Sequence, residues 1–307
     1  MTVSPFNYLR YSQDAYSLAY LAVNSGLMVY HWQIGPSVLL CLVGCLMAYG
    51  TGCILHCHAD NPMWSKAILN KLTEFWIILL RGDGCYAWIP THILNHHRYA
   101  NRPGDYTLTY RFSGQNNLLG FLLYTLWGTA AYIGASVAYL VAQYRTRRAR
   151  FWVLSAQLCA YCLFVGSLWV LDSEKCLYVI LLPQAFGLVA MVGTGYMQHQ
   201  HTDADSVYNH SRNFTGRLNN WMHFNHGYHA VHHMDSSLHW SEWPVAHRKI
   251  QDRIRPELNQ NNLPWYVAKL FLLQHLFPSL RTVDFRQRRP SLSSENPTAM
   301  MHEEHYP

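Results

Sequence analysis

The residues with the most chemistry in them are histidines, spaced to share helix faces and set beside apolar runs. His92, His96 and His97 stand together, as do His229, His232 and His233; His199 is followed by His201, and upstream lie His56 and His58. Imidazole is the usual neutral nitrogen ligand for first-row metals. Residues three or four apart on a helix share a face. His92 with His96, and His229 with His232 and His233, are each expected to converge on one point. Structural zinc sites close on four ligands and favour cysteine, whereas about eight or nine histidines gather here with Cys57 the one cysteine set among them. That number suits two metal ions with open positions, and nitrogen-rich, redox-capable sites point to iron.

Membrane helices must position them. Half the residues are apolar and 13% are charged, about half the charged share of a soluble domain. Spans are expected over 16–33, 36–56, 151–171 and 176–198, each near the ~20 residues that cross a bilayer. No cleavable signal sequence is evident in Met1 to Asp14. The basic run Arg145, Arg147, Arg148, Arg150 should be cytoplasmic. The hairpins 16–56 and 151–198 then deliver His56 and His199 to that same face. A single crossing by the apolar stretch 118–143 would put His199 on the wrong side from His92. That stretch is therefore expected to be interfacial or re-entrant, with both ends cytoplasmic. The fold class is all-α: a polytopic membrane protein of about four transmembrane helices, with a cytoplasmic helical cap holding the histidine cluster. Residues 1–280 form one domain, and 281–307 read as a polar, disordered tail.

Other features are quieter. Cys159 and Cys162 lie mid-span and read as core packing. The 11 tryptophans and 21 tyrosines suit interfacial belts or an apolar tunnel. There is no internal repeat, phosphate loop or haem-attachment motif, and nothing that calls for nucleic acid.

The stretch from His92 through Asn95, His96, His97 and Asn101 to Asp105 resembles the second histidine box of the membrane fatty acid desaturase and hydroxylase superfamily. Asn225 to His233, followed by Leu238-His239-Trp240-Ser241, resembles its third box, and Tyr196 to His199 resembles the isolated histidine after the second hairpin. Asn213, Phe214, Asn219, Asn220 and Trp221 make the third box most similar to the bacterial branch, and the resemblance covers roughly 36–250. It implies a di-iron centre that takes two electrons and dioxygen and removes hydrogen from an unactivated methylene, a step that needs a metal cofactor. Desaturation of an acyl chain is the first expectation, with hydroxylation or acetylene formation as alternatives. The implied ligands are His56, His92, His96, His97, His199, His229, His232 and His233.

The first box departs from the pattern, because Asp60 stands where a second histidine is expected. Asp60 shares a helix face with His56 and can ligate iron as a carboxylate; a helix that ends before Pro62 would let His58 swing in instead. His201, His226, Asp203 and Asp205 are candidates for further ligands or for hydrogen-bonding partners of ligand imidazoles. His239 is expected in the aromatic surface around Trp240 and Trp243, and the remaining histidines, His210 among them, read as structural or solvated. Electrons are expected from a separate ferredoxin-like or cytochrome-type carrier. Arg145–Arg150, Arg248, Lys249, Arg253 and Arg255 offer basic docking residues for it, for lipid headgroups, or for an acyl-CoA or acyl-carrier-protein substrate. The expected location is the bacterial inner membrane, with the cluster facing the cytoplasm. A metal transporter would place ionisable residues along its spans, which are nearly free of them. A catalytically inactive adaptor is the other non-enzymatic alternative.

Overall fold

A computed structural model describes residues 8–286. The apolar runs fold as helices, since in a hydrocarbon medium a helix satisfies its own backbone polar groups. Helices α1 (Asp14–Ile34) and α2 (Val38–Asp60) form an antiparallel hairpin. Gly35, at φ 95°, ends α1, and the Ser37 hydroxyl caps α2 by accepting from the Leu40 amide. Beyond them come α3 (Ala67–Arg81), α4 (Cys85–Trp88), a π-helical stretch Ile89–His96 and α5 (His97–Tyr99). Next are α6 (Leu118–Thr146), α7 (Arg148–Leu171), α8 (Ser173–Cys176), a second π-helical turn Leu177–Leu181 and α9 (Leu182–His199), followed by the short helices α10 (Arg217–Met222), α11 (His229–Met234) and α12 (Trp243–Ile250). Four helices are long and apolar enough to cross a membrane: α2, α6, α7 and the continuous stretch Ser173–His199. Sheet among the described residues is limited to β1 (Asn213–Phe214) paired in parallel with β2 (Asn259–Gln260).

Helices α2 and α9 run side by side in the same direction, with Gly44 against Pro183 and Ala48 against Gly187. The approach depends on small residues, for a Cβ on Gly187 would lie 3.0 Å from the Ala48 carbonyl carbon. Because the two helices are parallel, His56 and His199 emerge at the same end of the bundle. Helix α6 also begins there, since the Tyr196 hydroxyl donates to the Gln115 carbonyl at 3.1 Å. Helix α7 runs against α9, and its Tyr161 hydroxyl donates to Gln184 at 2.6 Å. Thirteen residues back along α7, about 20 Å, Arg148 returns to the level of Met197. Helix α6, expected to be interfacial, is one of the four helices long and apolar enough to cross a membrane, whereas α1, where the span 16–33 was expected, is not among the four.

Helix α3 and the segment that follows it form an unexpected re-entrant hairpin. Helix α3 descends beside α2 until Arg81 packs on Gly52, where an added Cβ would sit 2.6 Å from Nε. Gly82, in the left-handed region at φ 87°, turns the chain, and α4 with its π-helical extension climbs back to the second histidine box. At the bottom, Arg81 pairs with Asp83 (3.2 Å), and the Tyr132 hydroxyl of α6 donates to the same carboxylate.

Two further expectations differ from the structure. Cys159 and Cys162 are exposed on the outer face of α7 rather than packed in the core. The packed chain also runs past residue 280. Phe285 is 3% exposed and packs with Ala230, Ile254 and Leu258, and Thr282 accepts from Asn116 at 3.0 Å. Residues 287–307 of the expected tail lie outside the described residues.

Candidate metal centre and adjoining cleft

Two groups of ligand-type side chains meet at the histidine end. His56, Asp60, His92, His97 and His232 form one, and His96, His199, His229 and His233 the other; within each group the candidate ligand atoms lie within 4.8 Å of one another. The second and third boxes are thus each divided between the groups, while His56 and Asp60 of the first stay together. The expectation that His92 shares a point with His96 fails because the segment is π-helical. Closure at i to i+5 sets His97 beside His92, Nε2 to Nε2 at 3.0 Å. On helix α11 (His229–Met234), ordinary i,i+4 spacing joins His229 to His233 at 3.1 Å and sends His232 to the other group. His232 reaches His56 there, at 2.8 Å.

The loop before α11 is fixed by asparagines. Asn220 donates to the Phe214 carbonyl at 2.7 Å and accepts from the Gly227 amide at 3.0 Å, while Asn213 accepts from the Ala230 amide at 2.9 Å. Gly227 has no room for a side chain, since a Cβ would fall 2.0 Å from the Phe214 oxygen.

At the first box the structure places Asp60 with His56, 3.0 Å from Nε2, and turns His58 away to accept from the Met63 amide. His226 supports the cluster from outside it, 2.8 Å from Nδ1 of His56. His201 joins neither group; its ring nitrogens meet Thr282 Oγ1 and the Gly114 carbonyl. Asp205 pairs with Arg102 at 2.8 Å. Besides Asp60, a second carboxylate meets a ligand-type ring: Asp105, buried and 2.8 Å from Nδ1 of His96. Sequence reasoning quoted Asp105 within the box without assigning it this role. Burial pushes the Asp105 carboxyl up, but adjacent His96 and hydrogen bonds from His96, Thr107 and the Asn101 amide outweigh it and hold it well below the usual range. His239, expected in the aromatic surface, is buried against Tyr11 and pairs with Asp14 at 3.2 Å.

Burial, aided by neighbouring imidazoles, pushes His92, His229, His232 and His233 well below the ordinary histidine range, and burial lowers His97 to about 4. The crowd therefore rests neutral, the form that ligates metals. Its geometry calls for a cation. Asp105 as a carboxylate and the His210 carbonyl only accept hydrogen bonds, so Nδ1 of His96 and Nδ1 of His199 must each carry a proton. The two Nε2 atoms then face each other at 3.0 Å. Ligand nitrogens gathered this closely around one point suit a shared metal ion. The donor set, eight imidazoles and one carboxylate without a thiolate, fits a redox-capable first-row metal such as iron.

A narrow cleft, partly open to the outside, adjoins the cluster. His56, His92, His96 and His229 line one end, and Gly128, Tyr132, Leu188, Met191 and Val192 carry it away between α6 and α9. Gly128 keeps the passage open, since a Cβ there would lie 2.7 Å from Val192. An apolar slot that ends on polar, convergent side chains suits a long hydrocarbon whose middle must meet a reactive centre.

Comparison with known proteins agrees with this geometry. The family model described as fatty acid desaturase matches residues 30–269. Neither the curated proteins nor the solved structures gave a match. The matched stretch contains every residue of both ligand-type groups and most of the cleft's helical frame, and the chain belongs to the fatty acid desaturase family.

Proposed function

We propose that the protein is a membrane di-iron oxidoreductase that uses dioxygen and two electrons to introduce a double bond into a fatty-acyl chain. The observation that carries this reading is the junction of an apolar cleft with two metal-competent groups. His56, Asp60, His92, His97 and His232 would hold one iron, and His96, His199, His229 and His233 the other. Bound iron would supply activation of dioxygen and removal of hydrogen from an unactivated methylene, which side-chain acid–base chemistry cannot do.

The chain's own residues do the rest. Asp105 and the His210 carbonyl hold His96 and His199 with Nε2 inward, and His226 braces His56. Gly128, Val192 and Met191 seat the acyl chain, and Tyr132, fixed to Asp83, closes the lower end of the slot. The buried walls exclude water from the reacting methylenes.

The substrate would be an acyl chain on a lipid, coenzyme A or carrier protein, with electrons from a separate ferredoxin-like or cytochrome-type carrier. The location would be a bacterial inner membrane, with the cluster on the cytoplasmic side. Expression in a host lacking such an enzyme, followed by acyl-chain profiling, tests the reaction. New double bonds that vanish in His232→Ala support desaturation; hydroxylated chains would move the assignment to the sister chemistry.

A further inference from the structure

The ligand-type rings do not all face the same way. The cleft is lined by His56, His92, His96 and His229. His97 and His233 do not line it, yet both are partly exposed. One belongs to each group, and their rings stack at 4.8 Å and 21°. His97 lies 3.0 Å from His92 and His233 lies 3.1 Å from His229, nitrogen to nitrogen. The stacked pair is thus a surface patch joined to both groups at once, away from the cleft. Exposed Arg98 follows His97, and Met234, 44% exposed, follows His233.

Elsewhere the cluster is sealed. His232 is covered by the buried Trp243 ring at 5.1 Å, which belongs to helix α12 (Trp243–Ile250), the helix that also carries Arg248 and Lys249. His199 is buried beneath the α9 terminus.

On the reading given under Proposed function, we infer that the stacked His97–His233 edge is the electron entrance, and that an acidic one-electron carrier docks over it beside Arg98 and Met234. Each docking passes one electron from the reduced carrier inward and releases the carrier oxidised by one electron. Two dockings supply the two electrons, and no bond is made or broken in this step. Entry through this edge reaches both groups over equivalent distances and leaves the cleft free for the acyl chain.

The test uses the full-length, iron-loaded protein and a reduced plant-type ferredoxin as probe, mixed anaerobically while the ferredoxin's reoxidation is followed. Arg98→Glu and Met234→Glu, singly and together, change exposed residues next to His97 and His233 in the chain and leave the rings themselves in place. The double variant is expected to slow reoxidation by roughly tenfold or more, as reversal of a rim charge acts on association. Its iron content and its reduction by dithionite should stay at wild-type values. Arg248→Glu with Lys249→Glu should leave ferredoxin reoxidation unchanged. Wild-type rates in the Arg98 and Met234 variants, or slowing only in the Arg248/Lys249 variant, would overturn the entrance. Iron that dithionite cannot reduce in the wild type would instead overturn the di-iron reading beneath it.

Discussion

Asp105→Asn separates a metal-orienting role from a merely structural one. The carboxylate accepts four hydrogen bonds: Nδ1 of His96 and the Asn101 amide at 2.8 Å on one oxygen, and the Thr107 amide at 2.8 Å and hydroxyl at 2.7 Å on the other. An amide keeps the shape but has one accepting oxygen, so its NH2 must face an N–H donor in either orientation. If the oxygen stays towards Thr107, His96 loses the acceptor that fixes its proton on Nδ1, and its Nε2 is no longer held inward. Loss of such a partner typically weakens metal binding by about 10–100-fold, or about 1.4–2.7 kcal/mol. The orphaned buried donor costs the fold about 1–3 kcal/mol in addition. Iron release to a competing chelator, timed per ion, should show one ion leaving faster and the ion held by the His56–Asp60 group leaving at the wild-type rate. If both ions leave at wild-type rates while the melting temperature falls, Asp105 is only a loop brace and His96 does not depend on it.

Further predictions concern the first box, the cleft and pH. Asp60→Ala should lower iron content by about half, since it strips one of the two groups, whereas His58→Ala should leave it intact; the reverse pattern in metal analysis would restore His58 as the ligand. Gly128→Leu should block the passage, because even a Cβ meets Val192 at 2.7 Å. Iron should be retained while turnover of long acyl chains falls by at least about tenfold, and unchanged product profiles would remove the cleft from the account. The iron-free protein should lose stability in acid. His97 titrates from 6.5 in the unfolded chain to about 4 in the fold. Its contribution is thus fully present above pH 6.5 and is lost as pH falls towards 4, up to about 3 kcal/mol for this one ring. His210 and His223, also lowered to about 4 by burial, act in the same direction. A denaturation midpoint that is flat between these pH values would contradict the neutral, buried cluster.

Much of this was legible in the chain, and the exceptions have physical causes. The histidine groups, the two hairpins and the choice of Asp60 over His58 as His56's companion follow from helical spacing and the lengths of apolar runs. The division of the second box between two groups was not legible, because it depends on a π-helical stretch at Ile89–His96 that α-helical spacing does not anticipate. The re-entrant hairpin was hidden by its own charges. Lys71, Glu74, Arg81 and Asp83 interrupt its apolar sequence, but Arg81 and Asp83 neutralise each other within the bundle, with Tyr132 as a third partner. Asp105 was in plain view inside the second box, nine residues after His96, and only the fold of the intervening loop returns it to that ring. The short C-terminal strap around Phe285 carries too little apolar sequence to announce its packing against the cap.

Metal analysis of the purified protein tests the central claim most directly. Two groups of ligand-type residues, one ion to each, predict about two irons per chain, falling in His232→Ala and in His233→Ala while membrane insertion persists. Zinc in place of iron, or full iron content in both variants, would contradict the account.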